Sequence, residues 1–174
     1  MKPTIKHLFF DLDHTLWDFE YNSKQALKKI FEHYDLVQHI KHFEHFHHTY
    51  LRVNSDLWRK YGKKKISKAE LRDSRFRLTI EYHNIFDEAL ASKLSESYLE
   101  LSPKQTKLFP NTLETLQELK NLGYQMHIIT NGFEEVQYIK LNESGLRPFF
   151  DVIVCSEQVG HNKPDKRIFN HALG

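Results

Sequence analysis

Residues 8–15 read LFFDLDHT, an apolar run that ends at two carboxylates. The run predicts a short buried strand, with Asp11 at its carboxyl end and Asp13 two positions later. Open α/β proteins bind ligands at this end of parallel strands, where two acids can divide the work of nucleophile and proton donor. The same spacing also fits a helix N-cap or an Asx-turn with Thr15 as the cap, so the pattern alone leaves both interpretations open.

A second apolar run, MHII at 126–129, is followed by Thr130, Asn131 and Gly132. An Asn-Gly pair favours a hairpin between antiparallel strands. The next apolar residues recur at spacing three, which predicts a helix instead; they are Phe133, Val136 and Ile139. A hydroxyl and free backbone N–H groups at a strand-to-helix junction form a good seat for an anion, and we favour this interpretation.

A third run, VIV at 152–154, leads to Lys163 and Pro164. Pro164 fits the first position of a helix that contains Ile168, so we expect Lys163 at the N-terminus of that helix. A cation is unfavourable there unless an anion lies between it and the helix dipole. The conflict indicates a function for Lys163, and a solvent-exposed lysine is the alternative.

Strands that alternate with helices predict parallel βα units and a three-layer, Rossmann-like α/β core. Thr130 lies 119 positions after Asp11, far more than a crossover requires, so the segment between them contains an inserted structure. We expect the core to comprise residues 1–16 and 108–174, and an α-helical domain to be inserted at 17–107.

The insert carries helical periodicity. The apolar spacing over 26–34 predicts one helix, and the spacing over 36–61 predicts one long helix or two short ones. Ser67 and Glu70 have the spacing of a capping box, and Asp87 can cap a further helix.

Five histidines lie close together in the insert: His39, His42, His45, His47 and His48. Spacings of three or four residues can place two metal ligands on one helix face. No cysteine or closing acid accompanies them in a fixed pattern, so we expect solvated side chains on an amphipathic helix.

Composition narrows the function classes. The 25 Lys and Arg residues nearly balance the 23 Asp and Glu residues, which argues against nucleic acid as a partner. No stretch approaches the roughly 18 apolar residues of a membrane span. The single cysteine, Cys155, allows no internal disulfide and lies in an apolar run, so we expect an inert buried thiol and a cytoplasmic protein.

Three stretches together resemble the haloacid dehalogenase-like hydrolase superfamily: DLDHTLWDF (11–19), LFPNTLETLQELKNLGYQMHIITNGF (108–133) and NKPDKRIF (162–169). Their wording looks like the subgroup with an α-helical cap, especially the members related to pyrimidine 5′-nucleotidases. The resemblance covers the whole chain in order.

The resemblance implies a Mg²⁺-dependent phosphatase acting on a small phosphorylated metabolite, such as a nucleotide. It makes Asp11 the nucleophile that forms an aspartyl-phosphate, and Asp13 the general acid and then the base. Thr130, Asn131 and Lys163 would form the phosphate-binding part of the site. Mg²⁺ would bind the Asp11 carboxylate and the Asp13 backbone carbonyl, which suits a cation that prefers oxygen ligands.

The aromatic residues Trp17 and Phe19 lie where the chain leaves the core for the insert. They are candidates for the substrate side of the site, where a ring can stack on a planar base. Packing is the alternative, because aromatic side chains mostly serve hydrophobic cores.

Two features depart from the family pattern. His14 stands where a small residue is common, so we expect an altered loop or an exposed histidine. The pattern continues past Lys163 to a strand with one or two metal-binding Asp residues, whereas Asp165 is the only Asp after Lys163 and is too close to serve. We therefore expect the C-terminal part of the core and the last metal ligand to be missing, which would weaken the metal site and expose the sheet to self-association.

Two other functions stay open. The first is a non-catalytic phosphate-binding or interaction module, because the last acid of the family pattern is missing. A haloacid dehalogenase is the other alternative, although dehalogenating members lack an acid at the position of Asp13, because a halide leaves without a proton.

Overall fold

We describe residues 5–174 of a computed structural model. The chain forms two compact units. One combines the residues up to Asn22 with Pro103–Gly174, and the other is Ser23–Ser102. The first unit is α/β and the second is helical. The division predicted at 1–16 plus 108–174 and at 17–107 stays a prediction.

A parallel sheet organises the first unit. Its strands are β1 (His7–Phe10), β2 (Gln125–Thr130) and β3 (Val152–Cys155), in the spatial order β1-β2-β3. Phe10 pairs with Ile128 across the first interface, and Thr130 pairs with Cys155 across the second. The three apolar runs of the sequence are therefore strands, each extended by one or two residues. Their carboxyl ends lie at the same edge of the sheet.

Helices cover both faces of this sheet. Side chains alternate along a strand, so Ile128 and Ile129 point to opposite faces. Ile128 packs in a cluster with residues of α5 (Thr112–Asn121) and α6 (Glu134–Glu143). Ile129 packs on the other side with Ile168. The α7 helix (Ser156–Val159) and the α8 helix (Lys166–Leu173) follow β3. The predicted three-layer α/β core is confirmed.

The helical unit packs around its own apolar cluster. Its elements are α1 (Phe19–His33, which begins in the first unit), a 3₁₀ turn (Leu36–Gln38), α2 (Phe43–Gly62), α3 (Lys68–Glu81) and α4 (Glu88–Leu101). Its largest fully buried side chains include Tyr50, Phe46, Phe76 and Leu94. Within the described residues, no helix is both long and apolar enough to cross a membrane.

The capping signals in the helical unit were read correctly. The Ser67 hydroxyl accepts a hydrogen bond from the Glu70 backbone N–H, and the Glu70 carboxylate accepts one from the Ser67 N–H. The Asp87 carboxylate accepts a hydrogen bond from the Leu90 N–H. Over 36–61 the structure has a three-residue 3₁₀ turn followed by the 20-residue helix α2, which is neither one continuous helix nor two short ones.

Two sequence-based expectations were wrong, and one alternative that the sequence left open fails. Helix α1 begins at Phe19, where the Asp18 carboxylate accepts a hydrogen bond from the Tyr21 N–H, so the N-cap alternative for the upstream acids fails. Helix α8 begins at Lys166 with Asp165 as its cap, so Pro164 precedes the helix instead of opening it. One member of the histidine group, His47, is buried, whereas His39, His42, His45 and His48 are exposed as expected.

Candidate active site

The carboxyl edge of the sheet brings together residues that are far apart in the chain. Asp11 follows β1, and Lys163 lies in the loop between α7 and α8. The Lys163 Nζ donates hydrogen bonds to the Asp11 Oδ1, at 2.5 Å, and to the backbone carbonyl of Ile129 in β2, at 2.7 Å. The lysine thus spans the two strand ends and leaves the second oxygen of Asp11 available.

Asn131 holds the backbone of Lys163 in place. Its side-chain Oδ1 accepts a hydrogen bond from the Lys163 N–H at 2.7 Å, and its Nδ2 donates one to the Lys163 carbonyl at 3.2 Å. Both ends of the carboxamide are therefore engaged with one residue. These contacts position Lys163, and the phosphate-binding role of Asn131 stays a prediction.

Thr130 ends β2 with a hydroxyl that already accepts two hydrogen bonds. The donors are the Gly132 backbone N–H at 3.1 Å and the Gln137 Nε2 at 2.6 Å. A hydroxyl has one proton to donate and two lone pairs that accept. Neither contact uses the Thr130 O–H proton, and Thr130 itself is buried. The junction predicted at Thr130, Asn131 and Gly132 leads into α6, and the hairpin alternative was wrong.

Two residues of α6 that the sequence reading missed contact Asp13. The Lys140 Nζ donates to the Asp13 Oδ1 at 2.6 Å, and the Gln137 Nε2 donates to the Asp13 Oδ2 at 3.1 Å. Val136 and Ile139 suggested a buried apolar face, but the fully buried positions of this helix include Gln137 and Lys140.

The site balances its charges before any ligand arrives. The Asp11 carboxylate pairs with Lys163, and the Asp13 carboxylate pairs with Lys140. The Asp11 side chain is 38% exposed and the Asp13 side chain is 23% exposed, so water and a substrate reach Asp11 more readily. Of the two ammonium groups, that of Lys163 is the more exposed, at 21% against 4% for the Lys140 side chain.

The oxygen atoms at this edge fit a magnesium ion. Asp11 has one carboxylate oxygen that accepts no hydrogen bond from residues 5–174, and the same holds for the backbone carbonyl of Asp13. Mg²⁺ prefers oxygen ligands, needs only one or two carboxylates from the protein and keeps several waters. The described residues contain no cluster of three or more His, Cys, Asp and Glu side chains that could hold a metal ion.

Trp17 packs in the core instead of facing a ligand. It is 0% exposed, and its indole N–H donates to the backbone carbonyl of Gln105 at 3.0 Å. A ring without exposed surface offers no face to a planar base, so the burial of Trp17 favours the packing alternative. Phe19 is half-buried. The exposed His14 ring lies 5.0 Å from the Phe19 ring, and His14 takes a left-handed backbone, with φ at 63°.

Cys155 is the buried thiol that the sequence indicated. It ends β3 and has no exposed surface. Burial, reinforced by the negative charge of nearby glutamates such as Glu134, raises the pKa of the Cys155 thiol to about 12. The thiol is therefore protonated and weakly nucleophilic at neutral pH.

The geometry can be set beside known proteins. The family model of haloacid dehalogenase-like hydrolases matches residues 8–174, which include every residue of the site. The chain belongs to the haloacid dehalogenase-like hydrolase family. This confirms the resemblance drawn from the three motif stretches.

The relatives of this hydrolase include nucleotidases and sugar phosphate phosphatases, and one is an (S)-2-haloacid dehalogenase of Burkholderia cepacia. The chain is 32% identical over 166 residues to the pyrimidine 5′-nucleotidase YjjG of Escherichia coli, a match that covers 95% of this chain and 69% of YjjG. It is 48% identical over 65 residues to a glyceraldehyde 3-phosphate phosphatase of Methanothermobacter thermautotrophicus, a match that covers 37% of this chain and 29% of the relative.

Solved structures of the same family share the fold. The HAD-hydrolase YfnB of Bacillus subtilis, crystallised with magnesium, superposes with a TM-score of 0.84 at 28% identity, over 97% of this chain and 72% of YfnB. Haloacid dehalogenase-like hydrolases generally use Mg²⁺.

Proposed function

We propose that this phosphoric monoester hydrolase acts on a small phosphorylated metabolite, with nucleoside 5′-monophosphates as the first candidates, through an aspartyl-phosphate on Asp11. The nucleotidase and sugar phosphate phosphatase relatives support this substrate class. The single observation that carries the proposal is the 2.5 Å contact between Lys163 and Asp11, which joins a carboxylate and a cation at the ligand-binding edge of a parallel sheet.

In the first step, the free carboxylate oxygen of Asp11 attacks the phosphorus atom. A bond forms between this oxygen and phosphorus, and the bond from phosphorus to the ester oxygen breaks. Asp13, in its protonated form, gives its proton to the departing alcohol. Lys163 and the Thr130 hydroxyl bind the phosphoryl oxygens, because phosphoryl transfer depends chiefly on positioning and charge neutralisation.

In the second step, water attacks the phosphorus atom of the aspartyl-phosphate. Asp13, now ionised, accepts a proton from the water, and the Asp11 carboxylate leaves as inorganic phosphate forms. Splitting hydrolysis in this way replaces one difficult step by two easier ones. Asn131 takes part by holding the backbone of Lys163.

The Asp11 carboxylate and the Asp13 backbone carbonyl would hold Mg²⁺. The ion would neutralise charge on the transferring phosphoryl group. The near balance of acidic and basic residues supports a small molecule over nucleic acid as the partner, and the single buried cysteine supports a cytoplasmic location.

The test is phosphate release by this chain from a panel of nucleoside monophosphates and sugar phosphates, with and without Mg²⁺. The Asp11→Asn variant is the matched control, because it keeps the shape of the side chain and removes its charge. We expect Mg²⁺-dependent release by the wild type and at least about 10⁴-fold slower release by Asp11→Asn, as for loss of a nucleophile.

Three outcomes would contradict the proposal. Tight binding of phosphate esters without turnover, indifferent to Asp11→Asn, would favour a binding module. Halide release from haloacids that survives Asp13→Ala would favour a dehalogenase. Phosphate release that is unchanged in Asp11→Asn would exclude the covalent route.

A further inference from the structure

Helix α6 presents polar side chains to the core of the α/β unit. Gln137 is 0% exposed and Lys140 is 4% exposed. Residues three positions apart lie on the same helix face, so the two side chains reach the same region. Lysine is almost never fully buried unless it is paired. The buried side chains of Lys140 and Gln137 therefore need a polar or charged partner.

That partner is the carboxylate of Asp13. Lys140 binds one of its oxygens at 2.6 Å and Gln137 binds the other at 3.1 Å. One donor on each oxygen fixes the plane of the carboxylate. The Lys140 ammonium is itself confined, since it lies 4.3 Å from the centre of the Trp17 ring and 5.5 Å from that of Phe19. Cation–π contacts of this kind hold an ammonium group in place.

Gln137 also ties Asp13 to the end of β2. Its Nε2 donates to the Thr130 Oγ1 at 2.6 Å as well as to Asp13. The neighbouring Gly132 leaves room for this amide, because a Cβ at position 132 would lie 2.5 Å from the Gln137 Cδ and Nε2. One side chain thus links the residues that follow two different strands.

We propose that Lys140 and Gln137 are positioning residues that aim Asp13 at the leaving oxygen of the substrate. The inference rests on the proposed function, in which Asp13 is the general acid. Proton transfer needs the two heavy atoms at about 2.6–3.2 Å, and a misplacement of about 1 Å costs roughly 100-fold in rate. Neither residue touches the phosphoryl group, so their effect reaches the reaction only through Asp13.

If Lys140 and Gln137 have this role, the rate loss on their removal depends on the leaving group of the substrate. An alkyl alcohol leaves poorly without a proton, whereas 4-nitrophenolate leaves readily as the anion. Loss of an aimed general acid therefore slows the first step with an alkyl phosphate far more than with 4-nitrophenyl phosphate. The ratio kcat/KM reports this first step, because it covers events up to the first irreversible one. A merely structural defect lowers both values by the same factor.

The experiment compares kcat/KM for 4-nitrophenyl phosphate and for the best alkyl phosphate of the substrate panel. The variants are Lys140→Met, which keeps an apolar stem of similar length, and Gln137→Leu, which tests the second contact if Lys140→Met fails to fold. Lys120→Met is the matched control, because Lys120 also lies over an aromatic ring, that of Phe149 at 5.6 Å, but is exposed and far along the chain from Asp13.

We expect Lys140→Met to lower kcat/KM by about 10- to 100-fold for the alkyl phosphate and by less than about 3-fold for 4-nitrophenyl phosphate, a fraction of what general acid catalysis contributes. Gln137→Leu should show the same preference, Lys140→Arg should restore part of the loss, and Lys120→Met should match the wild type. Equal losses on both substrates, or no loss in either variant, would overturn the inference.

Asp13→Asn on the same two substrates separates this inference from the proposed function. If Asp13→Asn slows both substrates equally, the general acid assignment itself fails. If Asp13→Asn discriminates between them and Lys140→Met does not, the proposed function stands and only the positioning role is wrong.

Discussion

At the scale of single residues, Asp13 and Lys140 are unequal partners in one ion pair. Lys140 is 4% exposed, whereas the Asp13 side chain is 23% exposed and also accepts a hydrogen bond from Gln137. Removal of the carboxylate leaves a buried ammonium group with no anion beside it. Removal of the ammonium leaves a carboxylate that water and Gln137 still solvate.

We therefore predict that Asp13→Ala lowers the free energy of unfolding by about 3 kcal/mol, as for a buried pair that loses one partner. Lys140→Met should cost only about 1 kcal/mol, similar to one lost hydrogen bond. Urea denaturation of both variants and of the double variant measures these changes in the free energy of unfolding. The double variant should be more stable than Asp13→Ala, and the reverse order would contradict the asymmetry.

The sequence was sufficient to find the residues of the site that follow apolar runs. Asp11, Asp13 and Thr130 each lie just after or at the end of a strand, at the edge where open α/β proteins bind ligands. Gln137 and Lys140 were missed because the periodicity analysis counted only apolar positions and treated the polar ones as solvent-facing. Burial of a lysine depends on a partner elsewhere in the chain, which local patterns do not contain.

At the scale of elements, the turn from β2 into α6 depends on the small size of Gly132. A Cβ there would clash with the Gln137 side chain. Gln137 is fully buried, so its side chain cannot swing out into solvent to relieve the clash. We predict that Gly132→Ala destabilises the protein by about 1–3 kcal/mol, as overpacking does. The matched test repeats the change in a Gln137→Ala background, where the cost measured by urea denaturation should vanish. A cost that persists there would mean that another contact is responsible.

The capping box of α3 is a second element with a measurable contribution. Ser67→Ala removes the acceptor for the Glu70 N–H and should lower the free energy of unfolding by about 1 kcal/mol. Ser92 is an exposed serine inside α4, where alanine is the better helix former, so Ser92→Ala should be neutral or slightly stabilising. In thermal unfolding, the Tm should fall for Ser67→Ala and should stay unchanged or rise slightly for Ser92→Ala. Equal shifts would mean that the cap does not stabilise the helix.

Helix starts were predictable where a side chain caps the helix and were wrong where proline was used as the signal. Ser67 and Asp87 correctly predicted the starts of α3 and α4. The Ser67 hydroxyl and the Asp87 carboxylate each accept a hydrogen bond from a backbone N–H in the first turn of the helix that follows. Pro164 was placed inside α8, yet Asp165 supplies the cap. A proline is compatible with a turn before a helix as well as with its first position, so it alone did not settle the boundary.

At the scale of the whole molecule, a histidine pair links stability to pH. The His127 Nε2 lies 3.0 Å from the His7 Nδ1, and the Phe9 ring lies 4.8 Å from that of His127. Burial, reinforced by His7 and partly opposed by Asp151, lowers the pKa of His127 below its usual value. Below about pH 6.5 the unfolded chain therefore binds more protons than the folded one, and stability falls as the pH drops.

We predict that His127→Phe makes the free energy of unfolding less dependent on pH between about pH 6.5 and pH 5, with no change in slope above that range. Some dependence should remain, because burial also lowers the pKa of His83 in the helical unit. Urea denaturation at a series of pH values tests this, with an exposed histidine variant, His39→Gln, as the control. Identical slopes for the wild type and His127→Phe would contradict the assignment.

The central claim is that Asp11 carries the phosphoryl group during turnover. The most direct measurement is acid quenching of the enzyme during turnover of a phosphate ester with Mg²⁺, followed by digestion and peptide mass spectrometry. We predict that a peptide containing Asp11 gains the mass of one phosphoryl group, and that the gain is absent in Asp11→Asn. Steady phosphate release with no such adduct in the quenched wild type would contradict the covalent mechanism, as would an adduct on another residue.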